Sequence, residues 1–159
     1  MNFTVRPATE TDHEWMLKVV RGWGADFCVS RGRIVYAAEL PAFIAEGGPG
    51  ERIGLLTYEI IGSQCEVVTL DAFEKFSGVG SALMERAIET ARASGCQRLW
   101  LITTNDNIDA IRFYQRRGLT IAAVHVNAMA HSRALKPSIP LIGNYGIPIR
   151  DEVEFELNL

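Results

Sequence analysis

Cysteine is scarce in this chain. Only Cys28, Cys65 and Cys96 occur in 159 residues, far apart and odd in number. That excludes a disulfide framework and a cysteine-based metal centre, and it reads as reduced thiols in a cytoplasmic protein. Their expected place is as small fillers of a core. No cluster of His, Cys and carboxylates has ligand spacing, so no metal is expected. Long apolar runs are missing too; none approaches the length that spans a bilayer. The opening Met1-Asn2-Phe3-Thr4 has no basic-then-apolar signal pattern. Positive charge is not in excess: 16 Lys and Arg face 19 Asp and Glu, a net charge of −3. General nucleic-acid binding is therefore not expected. Repeats and low-complexity linkers are absent as well. What is there is an ordinary globular composition, 48% apolar and 22% charged, of a size that makes one domain over 1–159 with a real core.

The segmentation follows from pattern. Phe3 to Arg6 reads as a strand. Thr11-x-x-Glu14 reads as a capping box for a helix that puts Trp15, Val19 and Trp23 on one face, with Met16 and Val20 beside them. Gly22 and Gly24 break it. Ala25 to Leu40 is expected to be an irregular loop with one helical turn. Pro41 begins a strand, Gly47-Gly48-Pro49-Gly50 turns, Arg52 to Ile61 returns, and Cys65 to Leu70 follows after Gly62-Ser63. A helix over Gly80 to Ser94 turns Leu83, Ala87, Ile88 and Ala91 inward, and Gly95 ends it. Arg98 to Thr104 is a short buried strand. Asn107 to Gly118 reads as a helix capped by Asn107 and closed by Gly118, with Arg116 and Arg117 in its last turn. Leu119 to Met129 is a strand, and Ala130 to Leu135 a short helix. At the end, Arg150 to Leu157 alternates, which predicts Val153, Phe155 and Leu157 inward and Glu152, Glu154 and Glu156 outward. Together these elements predict an α/β fold, a mixed sheet of about six or seven strands with helices on both faces.

One junction carries chemistry. The apolar strand ending in Val67-Val68-Thr69-Leu70 runs through a turn holding Gly78-Val79-Gly80 straight into a helix. A helix N-terminus offers free N–H groups and partial positive charge, and glycines let an anion come close to the backbone. This is a phosphate cradle. Ser81-Ala82 follows the second glycine where a P-loop needs Lys-Ser/Thr, and Leu83 stands where the dinucleotide fingerprint needs a small residue.

The spacing Lys75-x-x-Gly78-x-Gly80 resembles the acetyl-CoA pyrophosphate loop of the GNAT N-acetyltransferases, whose pattern is Gln/Arg-x-x-Gly-x-Gly/Ala. Lys75 keeps the cation but loses the guanidinium fork. Downstream, Asn107-x-x-Ala110-x-x-Phe113-Tyr114, ending at Gly118, resembles the second signature of that family, and Val5-Arg6-Pro7-Ala8-Thr9 resembles its opening strand. The resemblance runs from Phe3 to about Ala123 and implies a mostly antiparallel GNAT-like sheet. It implies acetyl-CoA as donor. Leu70, Asp71 and Ala72 would contact it at the strand end, where the pantetheine arm lies in a gap beside the next strand. Lys75, Phe76, Ser77, Gly78, Val79, Gly80 and Ser81 would form the loop around the pyrophosphate. Asn107 would bond the pantetheine or phosphate region, alongside its capping role. The resemblance also makes Tyr114 the acid for the leaving thiolate and Glu66, four residues before Leu70, the base, acting directly or through water. The structural alternatives are an aromatic core residue for Tyr114 and a solvated strand carboxylate for Glu66.

The implied activity is direct acetyl transfer to a primary amine of a small molecule or a protein. A non-catalytic acyl-CoA-binding module or sensor is the alternative, since the same loop serves both. For the acceptor, Asp151 and Glu152 suit a cation, whereas Arg31 and Arg133 suit a carboxylate. The loop Ile142 to Pro148 is expected beside the acceptor pocket or at a homodimer contact.

Overall fold

The computed structural model describes residues 2–74 and 77–159. Its elements in chain order are β1 (Thr4–Pro7), α1 (His13–Arg21), β2 (Cys28–Ser30), β3 (Arg33–Val35), β4 (Ala42–Glu46), β5 (Arg52–Ile61), β6 (Gln64–Ala72), α2 (Val79–Ala93), β7 (Arg98–Thr104), α3 (Ile108–Arg116), β8 (Thr120–His125), α4 (Ala128–Leu135) and β9 (Glu152–Asn158). Seven strands form one sheet in the order β1-β4-β5-β6-β7-β9-β8, and β2 and β3 form a separate hairpin. Every neighbouring pair in the large sheet is antiparallel except β6 and β7.

That one parallel pair is short. It holds from Gln64, Cys65 and Glu66 to Arg98, Leu99 and Trp100, and the strands keep no shared register beyond it. The sheet therefore splits toward the end of β6 that leads to α2. A second irregularity lies in β6 itself. Thr57 and Tyr58 of β5 oppose Thr69 and Val67, so Val68 is an extra residue without a partner opposite, a β-bulge. A bulge resets the alternation of faces. Cys65, Val67, Leu70 and Ala72 pack with α2 and α3, while Val68 packs with α1.

The larger core is built on the α2 face from Phe43, Leu56, Val79, Leu83, Met84, Leu99, Leu101 and Phe155. The smaller one lies under α1, from Met16, Val20, Ile44 and Leu55. Gly54 lets α2 seat on β5: a Cβ there would lie 2.6 Å from Val79 Cγ1 and 3.1 Å from Leu83 Cδ1.

Several expectations change. The span 25–40 is not an irregular loop; it holds the β2–β3 hairpin, turned by Arg31 and Gly32 at positive φ (49° and 73°) as a two-residue hairpin requires. The capping box is Thr9-x-x-Asp12 rather than Thr11-x-x-Glu14: Thr9 N–H donates to Asp12 Oδ2 at 2.8 Å. Asp12 is drawn in because Arg6 and Arg52 both donate to its buried carboxylate. On α1 the buried stripe is Met16 and Val20, and Trp23 is 38% exposed. The strand from Leu119 ends at His125, where Asn127 at φ 60° turns the chain into α4. Asn107 begins α3 without a side-chain cap; its Nδ2 donates instead to Thr103 Oγ1 at 3.0 Å. Finally, Glu152 and Glu154 do not face out. They are 3% and 6% exposed, covered on the sheet face that carries the hairpin.

Candidate active site

The N-terminus of α2 meets the split of the sheet. Gly78 stands before the helix at φ 84°, a left-handed conformation that favours glycine. The Ala82 N–H is the first to donate back within the helix, to the Gly78 carbonyl at 3.1 Å. The helical ladder thus leaves the N–H groups ahead of Ala82 free of intrahelical acceptors. Gly80 lies close against α3: a Cβ there would stand 3.3 Å from Phe113 Cζ, a tight contact that the ring would have to ease by a few tenths of an ångström.

A cleft of about 770 Å³ opens there. On one side it is lined by Leu70 and Ala72 from β6 and by Ser77, Gly78, Gly80 and Ser81 from the turn. On the other it is lined by Asp109, Phe113 and Tyr114 of α3 and by a basic rim of Arg112, Arg116 and Arg117. Arg117 Nε donates to Ser81 Oγ at 2.7 Å, and its guanidinium lies 4.1 Å from the Phe113 ring centroid. Because Ser81 Oγ is acceptor to Arg117, its own proton is left to donate. Free N–H groups, a hydroxyl and three guanidiniums at one mouth suit a polyanion. The residues present therefore fit the phosphates of an acyl-CoA, and the cleft between β6 and α3 fits its extended arm.

Tyr114 lies deep in this cleft, packed at 5.6 Å and 5.5 Å between the Phe113 and Phe155 rings. Its hydroxyl makes no hydrogen bond among the described residues, and burial pushes the phenol up to about 12. It therefore stays protonated at neutral pH and has a proton to offer.

Glu66 sits on the opposite face of β6, on account of the bulge. It is 4% exposed and lines a second pocket of about 520 Å³ with Ser30, Arg33, Glu59 and Trp100. Ser30 Oγ donates to Glu66 Oε2 at 2.6 Å, and Arg33 donates to Oε1 at 3.0 Å. Burial raises the Glu66 carboxyl above its ordinary range, and the bonds from Ser30 and Arg33 only partly oppose this.

The structure brings Leu70, Ala72, Ser77, Gly78, Gly80, Ser81 and Tyr114 together around one cleft. Asp71 lies outside the lining, pairing in register with Leu55 under the other face, and burial raises its carboxyl. Val79 buries its side chain fully in the core, so only its backbone is near the turn. Asn107 is turned toward Thr103. Lys75 and Phe76 lie outside the described residues. Sequence reasoning gave Arg116 and Arg117 only a helix-end role and did not single out Arg112. The spacing Arg112 to Arg116, one helical turn, was the available signal. Arg33 is expected from the sequence only as one of several residues near the acceptor pocket, and Ser30 had no signal; both reach Glu66 from more than 30 residues away.

Comparison with known proteins decides the family. Residues 10–119 match the family described as Acetyltransferase (GNAT) family. The chain belongs to the GNAT acetyltransferases. It is an acyltransferase, and its donor is acetyl-CoA. The enzyme is 46% identical over 134 residues to the Bacillus subtilis protein YdhI, an alignment covering 84% of this chain and 83% of that one. In fold, it is similar to an IAA acetyltransferase from Bacillus cereus (TM-score 0.77, 19% identity, covering 99% and 100% of the two chains). It is likewise similar to a Bacillus subtilis acetyltransferase solved in complex with CoA (TM-score 0.72, 22% identity, 99% of each chain). At these identities the likeness is one of fold. It extends beyond residue 119 to the last strands, so the GNAT sheet in this enzyme includes β8 and β9.

Proposed function

We propose that this enzyme transfers the acetyl group directly to a primary amine, with Glu66 as general base and Tyr114 as general acid. The observation that carries the reading is the split between β6 and β7. Tyr114 and the phosphate cradle lie on one face of it, and Glu66 on the other. A thioester arm laid in the gap along Leu70 and Ala72 ends between the two groups, and the acceptor amine comes from the Glu66 side. The remaining cradle contacts, from Asp71, Lys75, Phe76, Val79 and Asn107, belong to the same proposal. The three free cysteines suit a cytoplasmic location.

The donor supplies an activated thioester; the rest falls to the chain. An alkylamine is protonated at neutral pH, with a pKa of about 10, and must lose a proton before or during attack. A buried carboxylate with a raised pKa, held by Ser30 and Arg33, is a competent acceptor for that proton. As nitrogen bonds to the carbonyl carbon and the C–S bond breaks, negative charge collects on sulfur. The Tyr114 hydroxyl, which has no competing partner among the described residues, donates to it.

Titration calorimetry with acetyl-CoA, CoA and NADH tests the cradle, and turnover by Tyr114→Phe tests the acid. Expected are binding of both CoA species, none of NADH, and a variant that binds acetyl-CoA normally but turns over about 100-fold more slowly. Failure of the folded protein to bind either CoA species sinks the site assignment. Undiminished turnover by Tyr114→Phe sinks the role of the phenol.

A further inference from the structure

The inward face of α4 carries two polar groups with nothing to bond. Its buried stripe is Met129 and Ser132, continued by Lys136 just after the last turn, the i, i+3 and i+7 positions of one helix face. Ser132 is 1% exposed, and its Oγ has no hydrogen-bond partner among the described residues. Lys136 is 8% exposed. Among the described residues its ammonium has neither an ion pair nor a hydrogen bond. Lysine is almost never this buried unless paired, because an ammonium taken out of water without a counter-charge is costly. A buried hydroxyl left unbonded carries a smaller cost of the same kind. An ammonium and a hydroxyl, one helical turn apart and both with protons to donate, mark a place for an anion.

This place adjoins the proposed acceptor side. α4 packs against β2 of the hairpin. The Lys136 stem passes the turn after α1: a Cβ on Gly24 would stand 3.9 Å from Lys136 Cε. On β2, burial raises the Cys28 thiol, the Lys136 charge opposes that rise, and the Glu66 charge adds to it. Both charges therefore bear on Cys28. Cys28 and Ser30, two residues apart, share one face of β2. Ser30 holds Glu66, and Cys28 packs with Val68 over the smaller core. Val68 follows Glu66 along β6 in the direction of the split, so Cys28 lies on the side of Glu66 that leads there.

The arginines expected from the sequence to suit a carboxylate are engaged elsewhere. Arg133 donates to the main-chain carbonyls of Pro140 and Ile149, and Arg31 stands 3.6 Å from Glu154. Lys136 is the buried cation left uncommitted.

We infer that the acceptor carries a carboxylate as well as its amine, the carboxylate held by Lys136 and Ser132 while the amine is presented at Glu66. One ammonium and one hydroxyl match the single charge and two oxygens of a carboxylate. The inference rests on the reading of Glu66 as the base. Lys136 and Ser132 are specificity residues here; neither takes a proton from the reacting nitrogen.

The test is calorimetry of acceptor binding to the enzyme saturated with CoA, where no turnover occurs. The probes are glycine, β-alanine and γ-aminobutyrate, each against its own amide, which keeps the amine and removes the negative charge. Expected is that the tightest-binding acid exceeds its amide by about 10- to 100-fold, the range for one charge-assisted contact. In Lys136→Met, which keeps a long apolar stem and removes the charge, the ratio should fall to about one. That variant should also melt no lower than the wild type, since it removes a buried charge that its own chain leaves unpaired. Acids that bind no better than their amides, acids that do not bind at all, or a preference that survives Lys136→Met would each overturn the inference. So would a Lys136→Met variant that melts below the wild type, because the ammonium would then serve the fold. The wild-type comparison of acids with amides decides even if the variant does not fold. Failure of the cradle shows up separately, as absence of CoA binding. Failure of Glu66 as the base shows up in turnover and its pH profile, and leaves the carboxylate preference in place.

Discussion

Two side chains with raised pKa values sit on opposite faces of one split sheet; the shift strengthens Glu66 as a base, whereas Tyr114, raised to about 12, stays protonated at neutral pH but becomes a weaker acid than an exposed phenol. Burial is the main cause in both. The pH dependence follows. Glu66 works as a base only when ionised, so kcat/KM should climb as pH rises through its elevated pKa. Glu66→Gln should remove that limb and lower the plateau by about 100-fold or more, leaving the limb set by the amine's own pKa of about 10. A pH–rate profile that keeps its acid limb in Glu66→Gln would show that another group is the base. Tyr114 and Glu66, the two groups proposed for proton transfer, are both singled out in the sequence by the GNAT resemblance, the one by its spacing from Asn107, the other by its place four residues before Leu70. What they touch is not. Ser30 and Arg33 come from a hairpin whose three-residue strands carry too few alternations to be read from pattern.

The elements themselves were mostly readable, because Gly62 stops β5, β7 is a short apolar run, and α3 is amphipathic and closed by Gly118. Their seating depends on details that periodicity does not carry. Gly54 is one: it lies mid-strand, where glycine is otherwise unfavourable, because the first turn of α2 presses on it. Gly54→Ala should cost about 1–3 kcal/mol by overpacking, and it should weaken acetyl-CoA binding, since Val79 and the cradle beside it must shift. Thermal melting and the acetyl-CoA titration read the two effects; a variant as stable as the wild type would mean that α2 is seated more loosely than its 2.6 Å approach implies. The Val68 bulge is another such detail. Without it, strict alternation would place Glu66 on the same face as Leu70 and Ala72, inside the cleft; with it, the carboxylate faces the hairpin.

Across the molecule, the first strand and helix are tied to the sheet through one buried charge. Asp12 is fully buried, and Arg6 and Arg52 reach it from β1 and β5 at 2.8 to 3.0 Å. These hydrogen bonds hold its carboxyl well below the ordinary range. A depressed carboxylate contributes stability above its unfolded pKa of about 4, and that stability is lost as pH falls below it. Asp12→Asn should therefore cost about 2–3 kcal/mol at neutral pH, or about 4–12 °C in melting temperature, with the gap to wild type closing in acid. An unchanged gap at low pH would show that the loss is one of packing and not of charge.

By itself, the sequence determined the glycine turn proposed as the phosphate cradle, the second GNAT signature, the order of the main strands and helices, and the two residues proposed for proton transfer. All of these are encoded in short windows, where spacing, glycine and periodicity are local properties. Only the tertiary structure decided which face of the sheet each carboxylate occupies. Glu152 and Glu154 looked solvent-facing because they alternate with Val153 and Phe155. They are buried because the hairpin, from a distant part of the chain, covers that face. Alternation separates two sides of a strand, but what lies over each side is a long-range fact.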